Sequence, residues 1–524
     1  MRMRDLAENV GVLSVGAGAL LNSHQGLLNV DEGLPKFDAA GLHRSRDVGS
    51  GAISPYYDRR ATTIDSVPAG AELFVDYGAN YFLSRRKWKD VPIKQDYEEA
   101  YKFLVNFDNL YKDYISDSNN GTFVNKTKEE VWNTMRDQLV ASNEMRIVNT
   151  LPETWDKAEL AIEKGGLKHI LQEIKSPEWF QENGKCLDNI RPQPSTIKQA
   201  GRGAFATRYI PKGDLVISAP LIHAPRGRDI FKMYAQNKTD EYGDYVQGDF
   251  GSAIHIGHQI ALNYAFGHPE SSMLLTPYGP GASMINHNAG DANVQMQWTD
   301  PNHEWFSESI DFLARDDFAG AQLMLDFIAT KEILPGEEIF LDYGESWQLA
   351  WDTHVQSWSP PADSGNWISA RDMNEVAEER HEILRTAKEQ QTDPYPPNVE
   401  TWCFYHLPDL TKGSPVTASW EPSEVMPRNH PCEIVSREDN GESTSYTVTF
   451  LEQKSHLGDY GNKDKIPGIP KGCGLTVSGM PREAIKFVDQ RYSSDIFLPG
   501  AFRHEIVVPD NIWPEAWKNL PSAA

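Results

Sequence analysis

Pro335-Gly336-Glu337-Glu338-Ile339-Phe340-Leu341-Asp342-Tyr343-Gly344, within residues 329–347, joins a Pro/Gly turn to an apolar strand that ends in Asp-Tyr-Gly. The same order recurs within residues 61–81, at Pro68-Ala69-Gly70-Ala71-Glu72-Leu73-Phe74-Val75-Asp76-Tyr77-Gly78. A second match lies upstream of each. Gly279-Pro280-Gly281-Ala282-Ser283-Met284-Ile285-Asn286-His287 precedes Asn293-Val294, and Gly16-Ala17-Gly18-Ala19-Leu20-Leu21-Asn22-Ser23-His24 precedes Asn29-Val30. Two separate matches in one order predict a duplicated module, because chance repeats a short string rather than an ordered pair. The copies are unequal. The first begins almost at Met1 and lacks the long stretch that precedes the second, so it reads as a truncated module or a retained relic.

Composition narrows the function classes. A length of 524 residues calls for two to four domains at roughly 100–200 residues each. Fifty Lys+Arg against 75 Asp+Glu give a net charge of −25. That excess repels phosphate backbones, so nucleic-acid binding is not expected, and a basic protein partner is favoured. Four cysteines, Cys186, Cys403, Cys432 and Cys473, with no C-x-x-C pair, exclude a disulfide scaffold and a Cys-based zinc cluster. No apolar run reaches the roughly 18 residues of a spanning helix. Residues 11–21 mimic a short secretion signal, but Asp5 and Glu8 interrupt it and the repeat explains it better. An intracellular location, nuclear or cytoplasmic, is the expectation.

Between the copies the pattern turns helical. Tyr97, Ala100, Tyr101, Leu104 and Val105 recur at helical spacing, as do Val131, Met135, Leu139 and Val140, with a break at Asn119-Asn120-Gly121. A further helix is predicted over 371–390, ended by Pro394-Tyr395-Pro396-Pro397. The tail alternates: Pro431–Ser436 and Tyr446–Leu451 predict paired strands around Asn440-Gly441, and Ile485–Val488 another. The class is α+β: a partial module at 1–88, a helical connector at 89–185, a complete β-rich core at 186–352, helix and linker at 365–393, and a C-terminal β-rich domain at 400–524, in which 400–490 reads as a small β-domain and the end, with Trp513 and Trp517, is expected to pack back on another part.

The stretch that only the second copy has opens with Gly201-Arg202-Gly203-Ala204-Phe205-Ala206-Thr207, then a strand, a Pro/Gly turn and another strand. Alone it is a generic hairpin, and no helix or Gly-Lys-Ser/Thr follows to make it a phosphate loop. Its order with Ile285-Asn286-His287 and Pro335–Gly344 is more specific. The three-part string, over about residues 195–350, resembles the SET-domain protein lysine methyltransferases. The first copy resembles only the last two parts.

The resemblance implies S-adenosylmethionine as cofactor and a basic, lysine-containing protein as substrate. Gly201, Arg202 and Gly203 match the family segment whose backbone holds the methionine part of the cofactor. Asn286 and His287 match the pair that contacts it, the histidine largely through its main chain. Tyr343 matches the tyrosine at the floor of the lysine channel and is both the catalytic candidate and a cofactor contact. The family brings these segments together in a threaded core, which is rare among folds. No metal is implied.

The residue types suit the chemistry. Transfer of a methyl group from a sulfonium is an in-line displacement, in which positioning does much of the work. A free lysine titrates at about 10.4 and must lose its proton, which a desolvated channel and a neighbouring positive charge promote. A phenol orients the amine without adding charge. Plainer readings stand beside these: Tyr343 as a core aromatic, Asn286 as a structural amide, Tyr278 as core or channel wall, Trp347 as core or adenine cover. Asp76 and Tyr77 mark the matching strand end in the first copy, where activity is not expected without the Gly-x-Gly half.

Two departures open an alternative. Asn286-His287 is followed by Asn288-Ala289-Gly290-Asp291 where the family often has Ser-Cys, and no cysteine-rich zinc segment follows. Residues 347–390 are the expected replacement for that closing segment. The alternative is a catalytically inactive tandem that binds basic peptides. A weaker one makes the tail a reader of modified peptides through an aromatic cage, with Trp402, Tyr405 and Trp420 as unplaced candidates.

Overall fold

The computed structural model of the chain describes residues 2–4, 11–13, 21–32, 42–53, 61–118, 127–142, 144–184, 188–235, 254–279, 281–315, 322–362, 364–380, 382–405, 416–421, 428–439, 443–451, 474–490 and 493–521. It is a mixed α+β chain in two compact units. The larger comprises residues 1–19, 35–58 and 187–524, and the smaller 20–34 and 59–186.

The larger unit is built on a six-stranded sheet ordered Val294–Trp298, Leu323–Ala329, Leu215–Ala224, Leu274–Pro277, Phe266–Gly267 and Ile506–Val507. Val-Gln-Met-Gln-Trp at its edge alternates buried and exposed, as one buried face requires. Leu323–Ala329 is paired on both sides and reads almost wholly apolar. Its exception, Asp326, is buried, and its carboxylate accepts from Thr299 Oγ1 at 2.7 Å and Ser218 Oγ at 2.5 Å.

A second, four-stranded sheet runs Asn286–His287, Glu338–Leu341, Arg202–Ala206, Ile190–Pro194. Asn286 pairs in parallel with Phe340 and His287 with Leu341, while Glu338 and Ile339 face Phe205 and Ala204 antiparallel. Three stretches far apart in sequence are thereby neighbours on one small sheet.

The C-terminal strands form a six-stranded sheet of their own, ordered Val416–Ser419, Leu475–Pro481, Thr444–Phe450, Arg428–Asp439, Val399–Tyr405 and Ile485–Asp489. The predicted strands at 431–436 and 446–451 pair antiparallel; their turn at Asn440-Gly441 lies outside the described residues. Cys403 and Cys432, on adjacent strands and both buried, form a disulfide with Cα atoms 5.8 Å apart. One internal bridge is not a scaffold, but composition alone did not foresee it.

The last segment packs on the larger core, where Phe266 pairs with Ile506 and Trp513 and Trp517 join Trp298, Trp305 and Phe327. Trp517, 0% exposed, donates Nε1–H to Trp305 O at 3.1 Å. The helix expected over 371–390 is two pieces, Ala370–Glu379 and Ala387–Gln390, because the chain between them buries Leu384 against the sheet and donates its N–H to Tyr446 Oη. Residues 42–53, expected with the first copy, belong to the larger unit: the Arg44 guanidinium is buried on the Asp495 carboxylate, and Ser50 Oγ donates to the same group at 2.9 Å.

In the smaller unit the module and the connector form one body. Helices Lys94–Ser118, Lys128–Ala141 and Trp155–Glu163 close over Leu104, Trp132, Trp155 and Ala158. Thr127 and Glu130 form a capping box that starts the second helix. Periodicity placed Val140 on the inner face, yet it is 51% exposed and Trp132 is the anchor. Val30–Glu32 pairs with Ala61–Thr63, and Asn22 bridges Phe74 in parallel. Among the described residues no helix is long and apolar enough to cross a membrane.

Candidate active site

Tyr343 leaves the strand Glu338–Leu341 just before the helix Glu345–Ser357. Gly344 makes the corner at φ +94°, and a Cβ there would come within 2.9 Å of Val507 Cβ, so only glycine fits. Asp342 is exposed and caps this corner, accepting the Gly344 N–H at 2.9 Å.

The Tyr343 phenol donates to the Ile285 carbonyl at 2.5 Å, and its backbone N–H donates to His287 Nδ1 at 2.9 Å. His287 Nδ1 is therefore an acceptor, and the ring proton sits on Nε2, which donates to Gln348 Oε1 at 2.7 Å. Burial, with Tyr264 adding to it, raises the phenol well above the usual tyrosine range, so Tyr343 stays a neutral donor. Rings surround it: His287 at 5.3 Å and Trp347 at 5.1 Å between centroids.

Asn286 uses its side chain structurally. Nδ2 donates to Arg202 O at 2.9 Å, Ser195 Oγ at 3.1 Å and Glu338 Oε1 at 3.2 Å. Glu338, 6% exposed, also accepts from Ser195 Oγ at 2.7 Å, Thr196 N at 2.7 Å and Thr196 Oγ1 at 2.5 Å. It ties together the Gly201 turn (φ +69°), the Asn286 strand and its own strand. Gly203 is required by the same group, since a Cβ there would fall 1.9 Å from Glu338 Oε1. Close packing therefore accounts for this glycine without any ligand.

Gly201–Gly203, Asn286, His287 and Tyr343 are thus brought to one place. Tyr278 follows the strand Leu274–Pro277 with its N–H on Pro220 O at 3.0 Å. Trp347 packs on His287 at 4.6 Å and stacks with Trp351 at 6.0 Å. Trp402, Tyr405 and Trp420 belong to the C-terminal sheet, where Trp402 donates Nε1–H to Glu400 and Tyr405 and Trp420 pack on the buried core.

Sequence reasoning missed Glu338, Gln348 and Phe502. Strand alternation held a signal for the first, because only one of Glu337 and Glu338 can face inward. The segment that covers Tyr343 is also not 347–390 alone. Val507 N donates to Tyr343 O at 2.9 Å, and Phe502 packs on Trp347 at 5.3 Å and Trp351 at 5.0 Å. Arg503 fixes this strap by donating to Gly51 O at 2.5 Å, His258 O at 3.0 Å and Ile496 O at 2.9 Å; burial lowers its pKa to about 10.

The smaller unit carries a comparable arrangement. Tyr77 donates to Leu21 O at 2.6 Å, and its N–H reaches Ser23 Oγ at 3.4 Å. Asn29 Nδ2 donates to Glu72 O at 2.9 Å, and Asn29 Oδ1 accepts the Phe74 N–H at 2.8 Å. In the larger unit Asn293 does the same to Glu338 O at 2.9 Å and Phe340 N at 2.8 Å.

Residues 201–344 match the family model described as the SET domain. This chain carries a SET domain. The match opens at Gly201 and closes at Gly344, so it spans all three motifs. A search of curated proteins finds no significant match. Among solved structures, the chain is similar to a candidate histone methyltransferase of Plasmodium falciparum, at 15% identity, covering 31% of this chain and 99% of that one, TM-score 0.18. It is also similar to polycomb repressive complex 2 of Chaetomium thermophilum, at 20% identity, covering 30% of this chain and 16% of that one, TM-score 0.19. An autoinhibited form of that complex bound to S-adenosylmethionine gives 18% identity, 30% and 15% coverage, and TM-score 0.19. The overlap spans about a sixth of the polycomb chains.

Proposed function

We propose that the SET domain transfers methyl groups from S-adenosylmethionine to a lysine side chain of a basic protein. The observation that carries this reading is the neutral Tyr343 phenol held against the Ile285 carbonyl, with Asn286, His287 and the Gly201 turn fixed around it. When bound, the cofactor supplies an electrophilic methyl on a positively charged sulfur.

The donor set fits such a group. Ile285 O and the Tyr343 phenol are neutral oxygens; the buried Glu338 carboxylate beside Asn286 and Gly203 is taken up by Ser195, Thr196 and Asn286, and Asp342 is exposed with Oδ1 4.0 Å from His287 Nδ1. The charge that fades during transfer needs no strong anion beside it. Gly201, Arg202, Gly203, Asn286, His287 and Tyr343 would hold the cofactor. The Asn286 amide nitrogen and both His287 ring nitrogens are committed to the protein, so these residues would serve through their main chains. Tyr343 orients the attacking amine as an uncharged hydroxyl, and the aromatic cover by Trp347 and Phe502 keeps water away, which favours the deprotonated lysine.

The net charge of −25 supports a basic substrate. An intracellular setting, nucleus or cytoplasm, belongs to the same proposal, and the Cys403–Cys432 disulfide, a bond rare in reducing compartments, argues against it. The matching bonds of Tyr77 and Tyr343 support the duplicated-module reading, in which the first copy is a non-catalytic relic. Calorimetric titration of the full chain with S-adenosylmethionine tests the function: saturable binding at one site per chain, abolished by Gly203→Trp, is expected. No binding, with no methyl incorporation into any lysine-rich protein offered, overturns it and leaves the basic-peptide binder.

A further inference from the structure

We infer that Gln348 is a positioning residue: it selects the tautomer of His287 and thereby fixes the backbone that aims Tyr343. The inference rests on the methyltransferase reading of the site. Three hydrogen bonds run in one direction. Tyr343 N–H donates to His287 Nδ1 at 2.9 Å, His287 Nε2–H donates to Gln348 Oε1 at 2.7 Å, and Gln348 Nε2 donates to Asp352 Oδ1 at 2.9 Å. The polarity is read at the first step. A backbone N–H has only a proton to give, so Nδ1 must be bare and Nε2 must carry the proton.

Each later link then has one correct orientation. Gln348 has to present its oxygen to the ring, which turns its amide nitrogen outward, and Asp352 one turn further along the same helix accepts it. An imidazole free to change tautomer would place a proton on Nδ1, opposite the Tyr343 N–H, and the two donors would push apart. Tyr343 would move with its backbone, because its phenol already spans to Ile285 O at 2.5 Å. Trp347, against the His287 ring at 4.6 Å, blocks a ring flip as an alternative relief. Gln348 itself sits in the helix's first turn with its N–H on Gly344 O at 3.1 Å, so its anchor is the same corner that carries Tyr343. The smaller unit supports the logic by contrast: Ser23 accepts the Tyr77 N–H there, and a hydroxyl rotor has no tautomer to select.

The test uses the full chain labelled with 15N-histidine, comparing wild type, Gln348→Met and Gln348→Glu. Long-range 1H–15N spectra report the tautomer, with the His287 signal assigned by its loss in His287→Gln. Wild type should show a protonated Nε2 and a bare Nδ1. Gln348→Met, which keeps the volume and removes the acceptor, should give a mixed tautomer. It should also lower kcat about 10-fold with little change in peptide KM, on the scale by which ~1 Å of misplacement costs about 100-fold. Gln348→Glu retains the acceptor and should recover the tautomer and most of the turnover. A wild-type proton on Nδ1, an unchanged spectrum and kcat in Gln348→Met, or a folded Gln348→Glu without recovery would each overturn the inference. The ring signature is read without substrate, so it decides the inference even where no methyl transfer is found; that outcome counts against the proposed function instead.

Discussion

The Asn22–Tyr77 and Asn286–Tyr343 regions solve the same local problem and then part company. In both, a tyrosine after an apolar segment donates to the carbonyl just before an asparagine, and a second asparagine, seven residues on, stitches that segment in place. Besides Ser23 standing where His287 does, they differ at one carboxylate. Glu338 is buried under Ser195, Thr196 and Asn286, whereas Glu72 takes Asn22 Nδ2 at 2.7 Å and is exposed. The tyrosine cradle is therefore a property of two segments, and a chemically closed site is a property of three. The difference teaches that the Gly201 stretch completes the larger unit by covering a carboxylate, which the smaller unit leaves in water.

The sharpest way to break the comparison is at the two phenols. Tyr343→Phe should lower kcat for lysine methylation about 100-fold, the scale of lost orientation at a reacting amine. Tyr77→Phe should leave kcat unchanged, although it removes a bond of nearly equal length. A radiometric methyl-transfer assay on both variants decides it. Equal losses would mean that both regions act in catalysis, and no loss in Tyr343→Phe would remove the role given to that residue.

Next come the carboxylates. Glu338→Leu strips the acceptor from Ser195 Oγ, Thr196 N and Asn286 Nδ2 at once. Stranding buried donors costs about 1–3 kcal/mol, and a leucine cannot reach water there. The midpoint of thermal unfolding should fall by several degrees and cofactor binding should weaken with it. Glu72→Leu, on an exposed side chain, should leave the midpoint within error. A similar fall in both would show that Glu72 is covered in solution.

Much of this was legible in the sequence, for a physical reason. Turn, strand and Asp-Tyr-Gly are local signals: proline and glycine punctuate, and apolar runs fix strand ends, so the order of Gly201, Asn286 and Tyr343 could be read before their meeting was known. The four-stranded sheet then sets the strand after Gly201, the strand of Asn286 and the strand before Tyr343 side by side. What could not be read was partnership at a distance. Nothing in Ile506 announces that it lies beside Phe266, nor in Phe502 that it packs on Trp347, because periodicity tells which face is apolar and not what covers it. The same gap explains Val140, apolar and on a plausible face, left exposed while Trp132 filled the core. Gln348 was illegible for another reason: its role depends on a ring proton, which only the direction of a backbone N–H reveals.

The smallest expected contrast lies at the glycines after the two tyrosines. Both hold positive φ, +94° at Gly344 and +80° at Gly78, with ψ near 158° and 146°, a region essentially closed to other residues. Alanine at either should cost about 1–3 kcal/mol from backbone strain alone. Only at Gly344 would the new methyl also meet Val507, at 2.9 Å, while nothing lies within 4 Å at Gly78. Gly344→Ala should therefore push the 502–507 strap off Tyr343 and raise the cofactor dissociation constant as well as lowering stability. Gly78→Ala should lower stability and leave cofactor affinity alone. Thermal unfolding paired with calorimetry separates the terms. If both variants lose stability equally and neither affects the cofactor, the strap does not close the site, and the contrast between the two regions reduces to Glu338 and Glu72.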